Sequence, residues 1–86
     1  MPSDLRTTAV KRGDSAHRFG DALRTARVRS ALTQKKVAEL SGLHRTYISQ
    51  LERGLKSPTL DAVERLASAL GMNPHDLVKA ATRARL

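Results

Sequence analysis

From 86 residues one modest hydrophobic core is expected, without a second folded domain or a roomy buried active site in this stretch. Hydrophobic residues make up 40% of it but include just two aromatics, Phe19 and Tyr47, so the core is built from Leu, Val, Ile and Ala, and the lack of cysteine excludes disulfides, thiol chemistry and Cys-type zinc sites. Sixteen Lys and Arg against eight Asp and Glu leave a formal net charge of +8, the sign of a chain whose partner is acidic.

Nucleic acid and an anionic membrane surface both fit that sign. A membrane reader pairs its basic face with exposed Trp or Phe, and the sequence has no Trp, which favours nucleic acid. The start, Met1 to Arg6, lacks the apolar run of a signal peptide, and no stretch approaches bilayer length, so a cytoplasmic protein is expected.

Residues 1–16 mix Ser, Thr, Gly and charges with isolated apolar residues, and are expected to form a flexible basic arm ahead of a single domain over 17–86. Phe19, Leu23 and Ala26, at spacings of four and three, predict helix 1 from about His17. Thr33 as a cap, Val37, Ala38 and Leu40 as the apolar positions and Gly42 as the stop predict a two-turn helix 2 over Gln34 to Ser41. Ile48 and Leu51 on one face, ended by Gly54, predict helix 3 from Arg45 to Arg53. Pro58 breaks the chain, Thr59 caps helix 4 with Leu60, Val63, Leu66, Ala67 and Leu70 on its stripe, and Asn73-Pro74 opens helix 5 with Leu77, Val78 and Ala81. The fold class expected is all-α, a compact bundle of five short helices.

Helices 2 and 3, joined through Ser41-Gly42-Leu43-His44, have the form of a helix-turn-helix, in which a tight glycine-containing turn lets the second helix cross the first and enter the major groove. The segment Phe19 to about Val78 resembles the Cro/CI-type helix-turn-helix family, the Xre family. The likeness lies in Leu32-Thr33-Gln34, Val37-Ala38, Gly42, Ile48-Ser49-Gln50-Leu51-Glu52-Arg53-Gly54, Ser57-Pro58 and Ala69-Leu70-Gly71. Within that family, Leu43 to Ser49 with Glu52-Arg53-Gly54 looks most like the controller proteins of restriction–modification systems. The resemblance implies a lambda-repressor-like fold and a sequence-specific transcriptional regulator, acting as a homodimer on double-stranded DNA at a bacterial or phage nucleoid.

The resemblance also distributes roles. Gln34 aligns with a phosphate contact, beside which Lys35 and Lys36 oppose the helix macrodipole unless an anion lies near. Arg45, Thr46, Tyr47, Ser49 and Gln50 align with base-reading positions. Arg45 can donate twice to guanine, Gln50 can pair with adenine and Thr46 can meet a thymine methyl, while Tyr47 is equally suited to packing with its hydroxyl on backbone. His44 departs from the Ser, Thr or Asp usual at this cap and is read either as a weak cap or as a phosphate contact. Arg53, Lys56 and Ser57 are candidates for sequence-independent phosphate contacts. Arg27 and Glu52 stand where family members pair helix 1 with helix 3, and Leu77, Val78 and Ala81 are the expected dimer surface.

A second reading makes the chain a protein-interaction module, such as the antitoxin of a toxin–antitoxin pair, with DNA binding secondary. An enzyme is not expected: His17, His44 and His75 are far apart in sequence, and no His-Glu-x-x-His or glycine-rich phosphate loop occurs. No cofactor, metal or small-molecule ligand is expected.

Overall fold

The computed structural model describes residues 12–83, with side chains from Ser15 to Thr82. Among them lie five helices: α1 Arg12–Arg29, α2 Gln34–Ser41, α3 Arg45–Glu52, α4 Leu60–Ala69 and α5 Pro74–Arg83. The architecture is all-α. The main pairings form a closed circuit, α1 on α5, α5 on α4, α4 on α2, α2 on α3 and α3 back on α1.

The helix predicted from about His17 begins five residues earlier, at Arg12. Ala16 continues the stripe of Phe19 and Leu23 toward the N-terminus and is 4% exposed, on a helix packed against both α5 and α3. The rest of the expected arm, residues 1–11, lies outside the described residues.

α1 ends in a Schellman turn. The Leu32 N–H donates to the Arg27 carbonyl at 3.1 Å and the Ala31 N–H to that of Val28 at 2.9 Å, with Leu32 packed against the core. The turn puts Ala31 at φ 58°, a left-handed conformation in which a Cβ is strained. Ala31→Gly should therefore raise stability by roughly 0.5–1 kcal/mol, after the entropy that glycine adds to the unfolded chain, as a higher urea midpoint. An unchanged or lower midpoint would show that the turn holds no such strain.

The later helices start at side-chain caps. The Thr33 and Thr59 hydroxyls accept from the Lys36 and Ala62 N–H groups, each at 3.0 Å, and Asn73 Oδ1 accepts from the His75 N–H at 3.1 Å ahead of Pro74. The core gathers Phe19 and Leu23 of α1, Val37 of α2, Ile48 and Leu51 of α3, Val63, Leu66 and Ala67 of α4, Leu70, and Leu77 and Ala81 of α5. Two of the three residues expected at a dimer surface contribute to this core. Leu77 and Ala81 are 0% and 8% exposed, four residues apart on the face that seals α5 against the domain, while Val78, one position round the helix, is 44% exposed. So small a core uses the whole apolar stripe of its last helix.

Gly20 marks a close crossing of α1 and α3. A Cβ there would lie 2.3 Å from the Leu51 carbonyl oxygen and 2.8 Å from that of Glu52, so the backbones of α1 and α3 meet with no room for a side chain. A glycine inside a helix costs about 0.5–1 kcal/mol against alanine, and this crossing accounts for it.

Candidate nucleic-acid interface

The turn between α2 and α3 is built from small polar groups. Gly42 takes φ 76° and its N–H donates to the Ala38 carbonyl at 2.9 Å, closing α2. Buried Ser41 accepts the Leu43 N–H on its Oγ at 3.2 Å, and Arg65 reaches from α4 to the Ser41 carbonyl at 3.4 Å while its Nε pairs with Asp61 at 2.8 Å. Three of the turn's backbone groups are thus paired, which helps hold α3 in place. His44 is the cap of α3: its Nδ1 accepts the Thr46 N–H at 3.1 Å.

With Ile48 and Leu51 buried, the opposite face of α3 is presented outward. Arg45 and Thr46 are exposed in its first turn, and Ser49 and Gln50 are half-buried one turn on. Gln34, Arg45, Thr46 and Ser49 together line a shallow polar depression of about 220 Å³. A candidate phosphate contact and three candidate base readers therefore share one surface. Lys35 and Lys36, next in the chain after Gln34, are exposed, the latter only loosely drawn to Glu39 at 3.8 Å.

Arg27 and Glu52 are brought together in a bidentate pair. Arg27 Nε and Nη2 donate to the Glu52 oxygens at 2.6 and 3.0 Å, and Nη1 donates to the Leu32 carbonyl at 2.9 Å. The side chains are 15% and 5% exposed, and the hydrogen bond to Glu52 raises the pKa of Arg27 further against the opposing effect of burial. Gln34 Nε2 donates to the same carboxylate at 3.1 Å, so the amide at the depression is held from behind by the last residue of α3.

Tyr47 is set apart from the other base-reading candidates. It is half-buried against the core, and its hydroxyl accepts the Thr59 N–H at 3.4 Å, at the start of α4. Arg53, the C-cap of α3, and Lys56 and Ser57 of the following loop are exposed beyond the far end of α3. Ser57 borders a hollow it shares with Arg18 and Pro58, and the His17 imidazole lies against Gly54.

Four residues were missed from sequence. Ser41 beside Gly42 is a serine-turn pattern, Arg65 four residues after Asp61 is a helix-pair pattern, and Gly20 inside a helix signals close backbone approach. His17 had no such signal, since its position at Gly54 is set by the α1–α3 crossing.

The family model described as a helix-turn-helix domain matches residues 18–81. The chain belongs to the helix-turn-helix domain family. It is 44% identical over 61 residues to the control protein C.BamHI of Bacillus amyloliquefaciens, covering 70% of this chain and 75% of that one. Among solved structures, the restriction–modification controller protein C.AhdI of Aeromonas hydrophila superposes with a TM-score of 0.70 at 39% identity, covering 72% of this chain and 94% of that one. The clp gene regulator ClgR of Corynebacterium glutamicum superposes with a TM-score of 0.78 at 29% identity over 84% of this chain and 94% of that one. This helix-turn-helix protein is accordingly a DNA-binding transcriptional regulator, and the likeness to controller proteins read from its third helix is met by two of these relatives. The antitoxin alternative finds no support among them. Among the described residues no helix is long and apolar enough to cross a membrane.

Proposed function

We propose that α2 and α3 are the helix-turn-helix of this regulator, and that it reads operator DNA with the outward face of α3 in the major groove as a controller-type regulator. The observation that carries this is the shared depression, where Gln34 stands beside Arg45, Thr46 and Ser49. An amide held at the start of α2 contacts a phosphate and sets the register, while the Arg45 and Thr46 side chains, without a hydrogen-bond partner among the described residues, reach base edges. Lys35, Lys36, Arg53 and Lys56 add sequence-independent affinity, and an anion beside Lys35 and Lys36 offsets their conflict with the macrodipole of α2. His44, at the start of α3, and Ser57, in the loop beyond its far end, are further candidate phosphate contacts. Tyr47 has a packing role first, since its hydroxyl is engaged with Thr59. Gln50, half-buried one turn after Arg45, is the next candidate base reader. The partner is double-stranded DNA, engaged as a homodimer in the cytoplasm, and the protein is not an enzyme.

Selection from a random duplex pool, followed by titration of variants on the selected site, tests this. Arg45→Ala should lose about 1–3 kcal/mol of discrimination at particular base pairs, whereas Lys35→Ala should weaken all sequences alike and lower the salt slope by about one. Unchanged specificity in Arg45→Ala would remove α3 from the base-reading role, and selection of one unspaced half-site would remove the dimer.

A further inference from the structure

Of the four helix caps among the described residues, three use groups that do not titrate near neutrality, the hydroxyls of Thr33 and Thr59 and the amide of Asn73. The cap of α3 is different. The Thr46 N–H donates at 3.1 Å to Nδ1 of His44, whose backbone has the extended form of a cap at φ −71° and ψ 140°. An imidazole nitrogen accepts only while it is unprotonated, so this bond requires a neutral ring with its proton on Nε2. The cap and the proposed base readers are contiguous in the chain: His44 caps, and Arg45 and Thr46 form the first turn it holds.

We propose that His44 is a positioning residue for base reading whose hold on α3 depends on its protonation: the neutral ring keeps Arg45 and Thr46 in helical register, and the imidazolium releases them. This rests on the reading of α3 as the base-reading helix. Little around the turn compensates for an imidazolium. The first turn of α3 has no acid, and a cation there opposes the helix dipole. Arg45 beside it is cationic. From α4, Arg65 brings its positive charge to the Ser41 carbonyl and Gly42, with Asp61 already paired to it. On α2, Lys36 and Glu39 face each other and Lys35 lies in the first turn, at the other end of that helix. From α1, His17 meets the far end of α3 at Gly54. Among the described residues no carboxylate lies within ion-pair distance of His44. With eight residues, α3 has no long body to hold a frayed first turn in place.

The test compares the wild type with His44→Asn, which caps without titrating, on the pool-selected duplex and on a scrambled duplex at constant ionic strength. Positive charge gained anywhere on the protein at lower pH strengthens binding to any DNA, so the readout is the ratio of the two affinities. For the wild type the ratio should fall about five-fold between about pH 8 and about pH 5, the size of one lost helix cap, and stay level in His44→Asn. Parallel profiles in the two proteins overturn the proposal. In the free protein, the Thr46 amide resonance should move toward a non-helical position as His44 titrates, and an amide insensitive to that titration also overturns it. If Arg45→Ala leaves the ratio unchanged near neutral pH, it is the base-reading role of α3 that fails, and the Thr46 amide then decides the cap by itself.

Discussion

Replacing Arg27 by alanine is expected to destabilise the fold by about 3–5 kcal/mol, a large share of the roughly 5–15 kcal/mol that holds a domain of this kind together. Glu52 is 5% exposed and accepts three hydrogen bonds, two from Arg27 and one from Gln34. Without the guanidinium, a carboxylate at the end of α3 stays buried with one neutral donor, and the Leu32 carbonyl loses the Nη1 hydrogen bond. The cost comes from the stranded charge, so Arg27→Met combined with Glu52→Leu should recover most of the loss, as replacing both members of a buried pair often does. Urea titration of the two single variants and the double separates these outcomes. An Arg27→Ala midpoint equal to wild type would sink the claim, and a double variant as weak as the single would move the cost from charge to packing. The pKa of Arg27 is raised in the fold, so its contribution is present at all pH below its ordinary value and is lost only as pH rises through the folded value. Across the physiological range this pair is constant, in contrast to the imidazole cap at the other end of α3.

The second large effect is at Gly20. An alanine there should gain about 0.5–1 kcal/mol of helix propensity, yet Gly20→Ala is expected to lose roughly 2–3 kcal/mol net. The added Cβ would sit 2.3 Å from a carbonyl oxygen where ordinary contact begins at 3.4 Å, and neither backbone can swing aside as a side chain would. α1 and α3 must separate by about 1 Å, opening the core around Leu23 and Leu51. For a domain of this size the thermal midpoint should fall by roughly 8–20 °C, read by circular dichroism. A rise in midpoint, the result propensity alone predicts, would show that the crossing is looser than described. Because Arg27, Glu52 and Gln34 span the same crossing, the surviving folded fraction should also bind DNA more weakly.

Both predictions concern a crossing that local pattern could not define. Sequence reading placed α2 to within its observed bounds and α3 to within one residue, because capping residues and glycine act on neighbours within a turn. Thr33, Gly42, Thr59 and Asn73-Pro74 each stop or start a helix whatever lies across the core. The alignment of Gln34, Arg45, Thr46 and Ser49 on one surface was legible for the same reason, since two short helices joined by one glycine turn allow few arrangements. The start of α1 was not legible. Ala16 is a single small apolar residue among polar ones, and its burial depends on helices that pack on α1 from far along the chain.

The sequence by itself therefore determined a basic, all-helical chain, its helix punctuation and the residues that present polar groups around one turn, because charge, periodicity and caps act over a few residues. The tertiary structure decided everything that depends on which helix faces which. It set Leu77 and Ala81 in the domain's own core, turned Tyr47 toward Thr59, required glycine at position 20 and locked Gln34 to the Arg27–Glu52 pair. The physical reason is that an apolar stripe or a buried charge specifies that it must be covered, while its partner is chosen by the packing of the whole bundle.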